Sequence, residues 1–221
     1  MERKTLQFIR LIVPGLILVF ESLPLFNAFG ESFEINKGLL SYSFLILIAV
    51  AIGAFYRISN IRYFITNYSH KKIDLNITES LAKIYPKELT QEQHNFLKEK
   101  RRLKNIFYYI IDNDPSLTAK SQNVYLNGAL WTSTADAFII SLFCSIVCLI
   151  VGAGYLKSSH IVLWSLILAG IGIISFLLHI LTVFQHINIS NDQLEYIETN
   201  KRNQVETKID EVLQQMPNVN N

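Results

Sequence analysis

ADAFIISLFCSIVCLIVGAGYLKSSHIVLWSLILAGIGIISFLLHILTVF, residues 135–184, decides the fold. Two apolar runs, Ala135 to Leu156 and Ile161 to Phe184, are separated only by Lys157-Ser158-Ser159-His160. A helix needs about 20 apolar residues to cross about 30 Å of hydrocarbon, and each run supplies them. Hydrocarbon offers no water to exposed amides and carbonyls, so each run must satisfy its own backbone as a helix. The pair reads as a transmembrane hairpin, spans three and four. Span four rises about 36 Å over its length, so it is expected to tilt or protrude. Gly152, Gly154, Gly170 and Gly172 are candidates for close helix packing.

A second apolar pair precedes this one. Leu11 to Gly30 follows Arg3, Lys4 and Arg10, and contains Pro14, Pro24 and Glu21. The prolines remove backbone donors, so a kink or an early end near Leu23 is expected. The same stretch has the outline of a secretory signal, with Ala28-Phe29-Gly30 as a small-x-small cleavage site. A retained span is the preferred reading. Leu39 to Tyr56 is span two, with Tyr42 and Tyr56 as interfacial aromatics and Ala49, Ala51, Gly53 and Ala54 as a small-residue face.

Between the pairs lies the charged stretch Arg57 to Trp131. Ile58, Ile61, Ile65 and Tyr68 recur at helical spacing, so span two is expected to continue outward as a helix. Lys71 to Asn76 reads as a break, and Thr78 to Tyr85 as a short helix stopped by Pro86. Thr90-Gln91-Glu92-Gln93 fits a capping box. It opens one long helix whose apolar face is Phe96, Leu103, Ile106, Phe107, Ile110 and Ile111. Asn113-Asp114-Pro115-Ser116 ends it, because Pro115 disfavours helix before itself. Ser116 to Leu130 reads as a short amphipathic return to the bilayer, with Trp131 as an interfacial anchor. Beyond span four, Leu194, Ile197, Val205, Ile209, Val212 and Met216 follow a helical seam interrupted at Lys201, and Pro217 to Asn221 should fray.

Half of the 221 residues are hydrophobic and 17% are charged, against about 25% in a soluble domain. Mean hydropathy is +0.27. The expected fold class is all-α: a polytopic membrane protein with four transmembrane helices in two hairpins and a cytoplasmic helical module between spans two and three. The division is residues 1–56, first hairpin; 57–131, cytoplasmic module; 132–185, second hairpin; and 186–221, cytoplasmic C-terminal helix and tail.

Charge sets the expected orientation. Of 20 Lys and Arg, three precede span one, twelve lie between spans two and three, and three follow span four. Lys37 and Lys157 are alone in the other two loops. Basic flanks stay cytoplasmic during insertion, so both termini and the middle region are expected inside the cell membrane. The two short outer turns are too small for an extracellular receptor domain.

Three ionisable residues fall within spans, where a charge is costly enough to suggest function: Glu21, Asp136 and His179. Helical rise puts Glu21 about 16 Å deep and His179 about 8 Å deep, too far apart for a direct pair in straight helices. Asp136 and His179 have depths at which they could meet. Asp136 also sits where span three is expected to start, and the helix dipole favours an anion there. Glu21 has no such account. It is the better expectation for a pore-facing or gating residue, against a neutral hydrogen-bonded acid at a subunit interface.

Lys98, Lys100, Arg101, Arg102 and Lys104 form a basic patch beside Phe107, Tyr108 and Tyr109. Cations on phosphates with aromatics on bases would suit nucleic acid. Anionic lipid headgroups or a cytosolic protein partner are the preferred targets, since membrane-adjacent helices are commonly basic. No cofactor is expected. A haem between spans needs histidines at matched depth on two helices, and His70, His94, His160 and His186 lie outside them. Cys144 and Cys148 offer only half a metal site and read as packing residues. No zinc-protease, hydrolase or phosphate-loop motif stands in the chain, so no enzymatic activity is expected.

Two functions remain. One is a non-enzymatic, self-associating (dimer to tetramer) membrane anchor or sensor whose cytoplasmic helices hold a soluble partner. The other is an oligomeric ion-conducting pore or permeabilising effector using Glu21. In architecture alone, a small four-span protein with a basic cytoplasmic stretch looks like membrane components of bacterial anti-phage defence systems. That resemblance implies a cytosolic protein partner.

Overall fold

The computed structural model describes residues 3–29 and 39–216. The expected outer turn with Lys37 and the expected frayed end at 217–221 lie outside the described residues, as do the side chains of Arg3, Lys4 and Tyr42. Among the described residues the chain is all-helical, without strands. The elements are α1 (Arg3–Ala28), α2 (Leu39–Ile58), α3 (Tyr63–Ile84), α4 (Gln91–Lys98), α5 (Arg102–Asp112), α6 (Pro115–Leu149), α7 (Ser159–Asn200) and α8 (Arg202–Leu213). A π-helical turn, Ile150–Tyr155, follows α6. Three stretches are long and apolar enough to cross a membrane: Thr5–Ala28, Pro115–Tyr155 and Ser159–Asn200. A fourth exists if α2 and α3, bent by 60° at their junction, count as one broken span. Three to four candidate spans mark the protein as membrane-embedded.

Two compact units divide the chain. The first holds the residues up to Asn67 together with Leu126–Thr182, and the second holds Tyr68–Tyr125 with the chain from Val183 on. The core of the first unit gathers Tyr56, Ile140, Cys144, Cys148, Ile161 and Leu168, with Ile17, Leu18, Leu25, Leu156 and Trp164 against it. Its tightest contact is between α1 and α2, which run antiparallel. Gly15 faces the backbone of Ala49, and Gly53 faces the carbonyl of Leu11. A Cβ at either glycine would collide with backbone, so the two helices approach as closely as only glycine permits. The small-residue face expected on span two is used there, and its partner on α1 is Gly15. Of the four glycines noted on spans three and four, Gly152 meets Ile161 and Gly172 meets α6, while Gly154 and Gly170 face open space.

Several local expectations are corrected. α1 does not stop near Leu23; Pro14 and Pro24 both lie inside a helix that runs to Ala28. Span two does not continue outward as a straight helix. It ends at Ile58, where Ser59 bonds back to the Tyr56 carbonyl and Asn60 adopts a left-handed conformation (φ 56°). Asparagine tolerates that conformation and commonly closes helices with it. The expected stripe is consequently not a buried seam, for Ile58 and Tyr68 are both 78% exposed. The break expected at Lys71 to Asn76 is absent, and α3 runs unbroken from Tyr63 to Ile84. Ser116 to Leu130 is not a separate segment but the first part of α6. Asp114 starts that helix, its Oδ1 accepting from the Ser116 and Leu117 amides at 2.9 and 3.0 Å. Asp-Pro is thus an N-cap with proline at the first helical position, as well as the end of the helix before it.

The second unit packs α4, α5 and α8 with parts of α3, α6 and α7. Leu81, Leu97, Leu103, Ile110, Leu117, Ile197, Val205 and Ile209 are fully buried there. The expected capping box at Thr90 is present, with both reciprocal bonds formed. The helix it opens is not continuous. Lys100 (φ 47°) and Arg101 (φ 57°) both adopt left-handed conformations and separate α4 from α5. Both helices pack on α8, which has 12 residues and a length of about 18 Å. A straight helix over 91–112 would be about 33 Å long and would carry one end of its apolar face past α8. The turn bends both apolar faces onto the same short helix.

Left-handed backbone costs a non-glycine residue about 1–2 kcal/mol, and glycine returns about 0.5–1 kcal/mol in unfolded-state freedom. Lys100→Gly or Arg101→Gly is therefore expected to stabilise the second unit by about 0.5–1 kcal/mol each. Hydrogen exchange of α4 and α5 amides would show it as slower opening. Faster opening would mean that the bend is not under strain.

Candidate functional site

The polar centre of the first unit is assembled from α1, the α2–α3 turn and α6. Arg62 grips Asp136 with two bonds, Nε to Oδ1 at 2.7 Å and a terminal nitrogen to Oδ2 at 2.5 Å. The same terminal nitrogen donates to the Arg10 carbonyl at 3.1 Å. The Asp136 side chain is 1% exposed and that of Arg62 16%. Tyr56 brings its hydroxyl toward this carboxylate without forming a hydrogen bond of ordinary geometry. The helix-dipole account of Asp136 is corrected here. Because α6 begins at Pro115, Asp136 lies mid-helix, far beyond the first turn where the dipole acts. An arginine 74 residues away holds it instead.

Asp136 and His179 take different partners. His179 is buried, with Nδ1 3.1 Å from the Trp131 carbonyl and its ring stacked on the Trp131 indole at 6.3 Å. Trp131 is itself buried, 4% exposed, which places it inside the unit rather than at a lipid-facing anchor position.

Glu21 is 8% exposed and joins three helices. Its Oε1 accepts from Ser141 Oγ of α6 at 2.5 Å, and its backbone carbonyl accepts from the Trp164 indole of α7 at 3.1 Å. Its Oε2 is buried without a hydrogen bond of ordinary geometry, and the Cys144 thiol of α6 approaches the carboxyl.

The five cations of the Lys98–Lys104 stretch do not form one patch. Lys104 is paired with Asp74 and largely buried. Arg102 donates to the Phe96 carbonyl and lies 3.6 Å over the Phe96 ring. Lys98 stands 4.0 Å from Glu79. Lys100 and Arg101 are exposed at the turn. The bend that the sequence conceals also disperses the charge.

A second set of ion pairs fastens the C-terminal helix of this unit. Asp210 accepts from Tyr85 at 2.5 Å and from Lys87 at 2.6 Å, and Glu206 stands 3.2 Å from the same lysine. Lys201, at the junction of α7 and α8, reaches Asp114 at 2.8 Å. Hydrogen bonds from Lys87 and Tyr85 hold the Asp210 carboxyl below its usual range, and Lys201 does the same for Asp114. The lysines are raised in turn, Lys87 by Asp210 and Glu206, and Lys201 by Asp114. A depressed carboxyl adds stability above its unfolded pKa of about 3.9, and that stability is lost as pH falls through the lower folded value. A raised lysine adds stability below about 10.4, and that stability is lost as pH rises through the higher folded value. Docking of α8 should therefore vary little with pH between about 4 and 10 and weaken outside that window on both sides. Hydrogen exchange of α8 against pH checks this, and Lys87→Met should remove much of the acid-side loss.

Among the described residues no three His, Cys, Asp or Glu side chains come together as a metal site would require. Comparison with known families, with characterised proteins and with solved structures finds no match to this chain.

Proposed function

We propose that the protein is a non-enzymatic, self-associating membrane anchor or sensor whose cytoplasmic helices hold a soluble protein partner. The observation that carries this reading is the second unit. It is a built helical module, with its own buried core and its own ion pairs, on a membrane-embedded chain. A chain that served only as hydrophobic packing in the bilayer would have no use for such a module. The four-span topology, two hairpins with both termini inside, is part of the proposal and follows from the twelve cations between spans two and three. The protein then belongs to the plasma (inner) membrane. Self-association as a dimer to tetramer suits the spans, because only 17–33% of their apolar windows is buried within one chain. By architecture the proposed role is that of the membrane component of an anti-phage defence system.

The docking residues of this reading narrow to Lys100 and Arg101. They are exposed, whereas Arg102 and Lys104 are engaged within the module. The test is affinity purification of the detergent-solubilised chain from its host, with Lys100→Gln/Arg101→Gln beside it. A stoichiometric soluble partner, lost from the double variant, is the expected result. An oligomer without a partner would overturn the anchor reading.

One observation favours the second reading, an ion-conducting pore: the Oε2 of buried Glu21, which has no hydrogen bond of ordinary geometry. Ion flux in liposomes that disappears in Glu21→Gln would establish it.

A further inference from the structure

Where α1 and α2 reach the ends of their apolar stretches, three arginines gather near one carboxylate, and only one of them pairs with it. Arg62 takes both oxygens of Asp136. Arg10 feels repulsion from Arg62 and more weakly from Arg57, offset in part by attraction to Asp136. Among the described residues neither Arg10 nor Arg57 forms an ion pair. The Arg10 Nε is buried and has no acceptor. Gly128 makes room for this head group, since a Cβ there would lie 2.9 Å from an Arg10 terminal nitrogen. A buried guanidinium donor facing further positive charge is a costly arrangement unless an anion completes it.

A second, independent feature adjoins these arginines. The turn between α2 and α3 exposes Ile58 (78%), Ile61 and Phe64 (90%). In the proposed four-span topology, on which this inference rests, exposed apolar side chains beside arginines at the ends of the apolar runs of α1 and α2 match the boundary between acyl chains and headgroups. A phosphodiester suits guanidinium groups there, because the planar fork meets two oxygens at once and phosphate is the anion that headgroups supply.

We propose that Arg10 and Arg57 bind the phosphate of an anionic phospholipid whose acyl chains lie along Ile58, Ile61 and Phe64. Asp136 positions Arg62 and keeps the site from closing on its own carboxylate. Net negative charge on the lipid is required, because the site carries two guanidinium charges that Asp136 does not neutralise. This lipid site is separate from the Lys98–Lys104 stretch and does not depend on any protein partner.

The experiment is thermal unfolding of the full chain in a neutral detergent. It is titrated with phosphatidylglycerol, phosphatidylcholine or inorganic phosphate, and native mass spectrometry counts the lipid retained. The expected result is a saturable rise in midpoint with phosphatidylglycerol alone and one retained lipid per chain. Arg57→Gln, at an exposed position, should weaken the apparent affinity about tenfold, the scale of one charge-assisted hydrogen bond. Arg10→Gln should do the same or more. An equal rise with phosphatidylcholine would overturn the charge requirement. An equal rise with phosphate would make this a site for a soluble anion rather than a lipid. Unchanged affinity in Arg57→Gln would place the lipid elsewhere.

Discussion

Gly53→Val abolishes the packing of the first two helices. At this position the nearest atom to an added Cβ is the Leu11 carbonyl oxygen, which belongs to backbone and cannot rotate away. The helices must separate along their whole contact, because Gly15 against Ala49 lies in the same antiparallel register one turn on. Inserting atoms into a close-packed site costs about 1–3 kcal/mol when side chains can adjust. Without that adjustment, about 3 kcal/mol or more is expected. The measurement is the unfolding midpoint and monodispersity of the detergent-solubilised chain. Gly15→Val should behave alike. Gly170→Ala is the control: nothing lies within 4 Å of its added methyl, so it should not destabilise, and alanine's better helix propensity should add up to about 1 kcal/mol. If Gly53→Val and Gly170→Ala melt together, the helices do not approach as described.

The features legible in the sequence are those with a local physical cause. Apolar runs announce membrane helices because hydrocarbon leaves the backbone no other partner. The Thr90 capping box is read correctly because both of its bonds span three residues. The seam through Leu194, Ile197, Val205 and Ile209 is buried as periodicity predicts, with the interruption falling at Lys201. Two further features are local in the same way. Asn60 is a left-handed helix end by its residue type, and Asp114-Pro115 is a helix start by its order.

What was not legible depends on distant parts of the chain. Nothing near Lys100 or Arg101 favours left-handed backbone; their bend brings α4 and α5 together onto α8, about a hundred residues away in sequence. The same bend decides what the basic stretch offers. Periodicity alone would display five cations on one helix, whereas the folded chain gives Lys104 to Asp74 and Arg102 to Phe96. Glu21 shows the same limit. Its depth was readable from helical rise, but its position against Ser141 and Trp164 required the packing of three helices.

The Arg62–Asp136 pair sets a second large effect. Asp136→Asn keeps the shape of the side chain but removes the charge that Arg62 meets with two bonds. The guanidinium is then left partly buried, with Arg10 as its neighbour and no carboxylate. Breaking a buried pair from one side costs about 3–5 kcal/mol, because the remaining charge keeps its desolvation cost and loses its compensation. Arg62→Met alone should cost a comparable amount, since it strands Asp136 in turn. The double variant Arg62→Met/Asp136→Leu should recover most of that loss, because two apolar residues have no charge to desolvate. A thermodynamic cycle over the unaltered protein, Arg62→Met, Asp136→Leu and this double variant measures the coupling directly. Additive single losses would show that the pair is not the feature holding α6 to the α2–α3 turn. Strong coupling with a stable double variant would show that the ion pair does not set the net stability of this unit. Its role would then lie in where it places Arg62: against the Arg10 carbonyl, at the turn that follows the apolar run of α2.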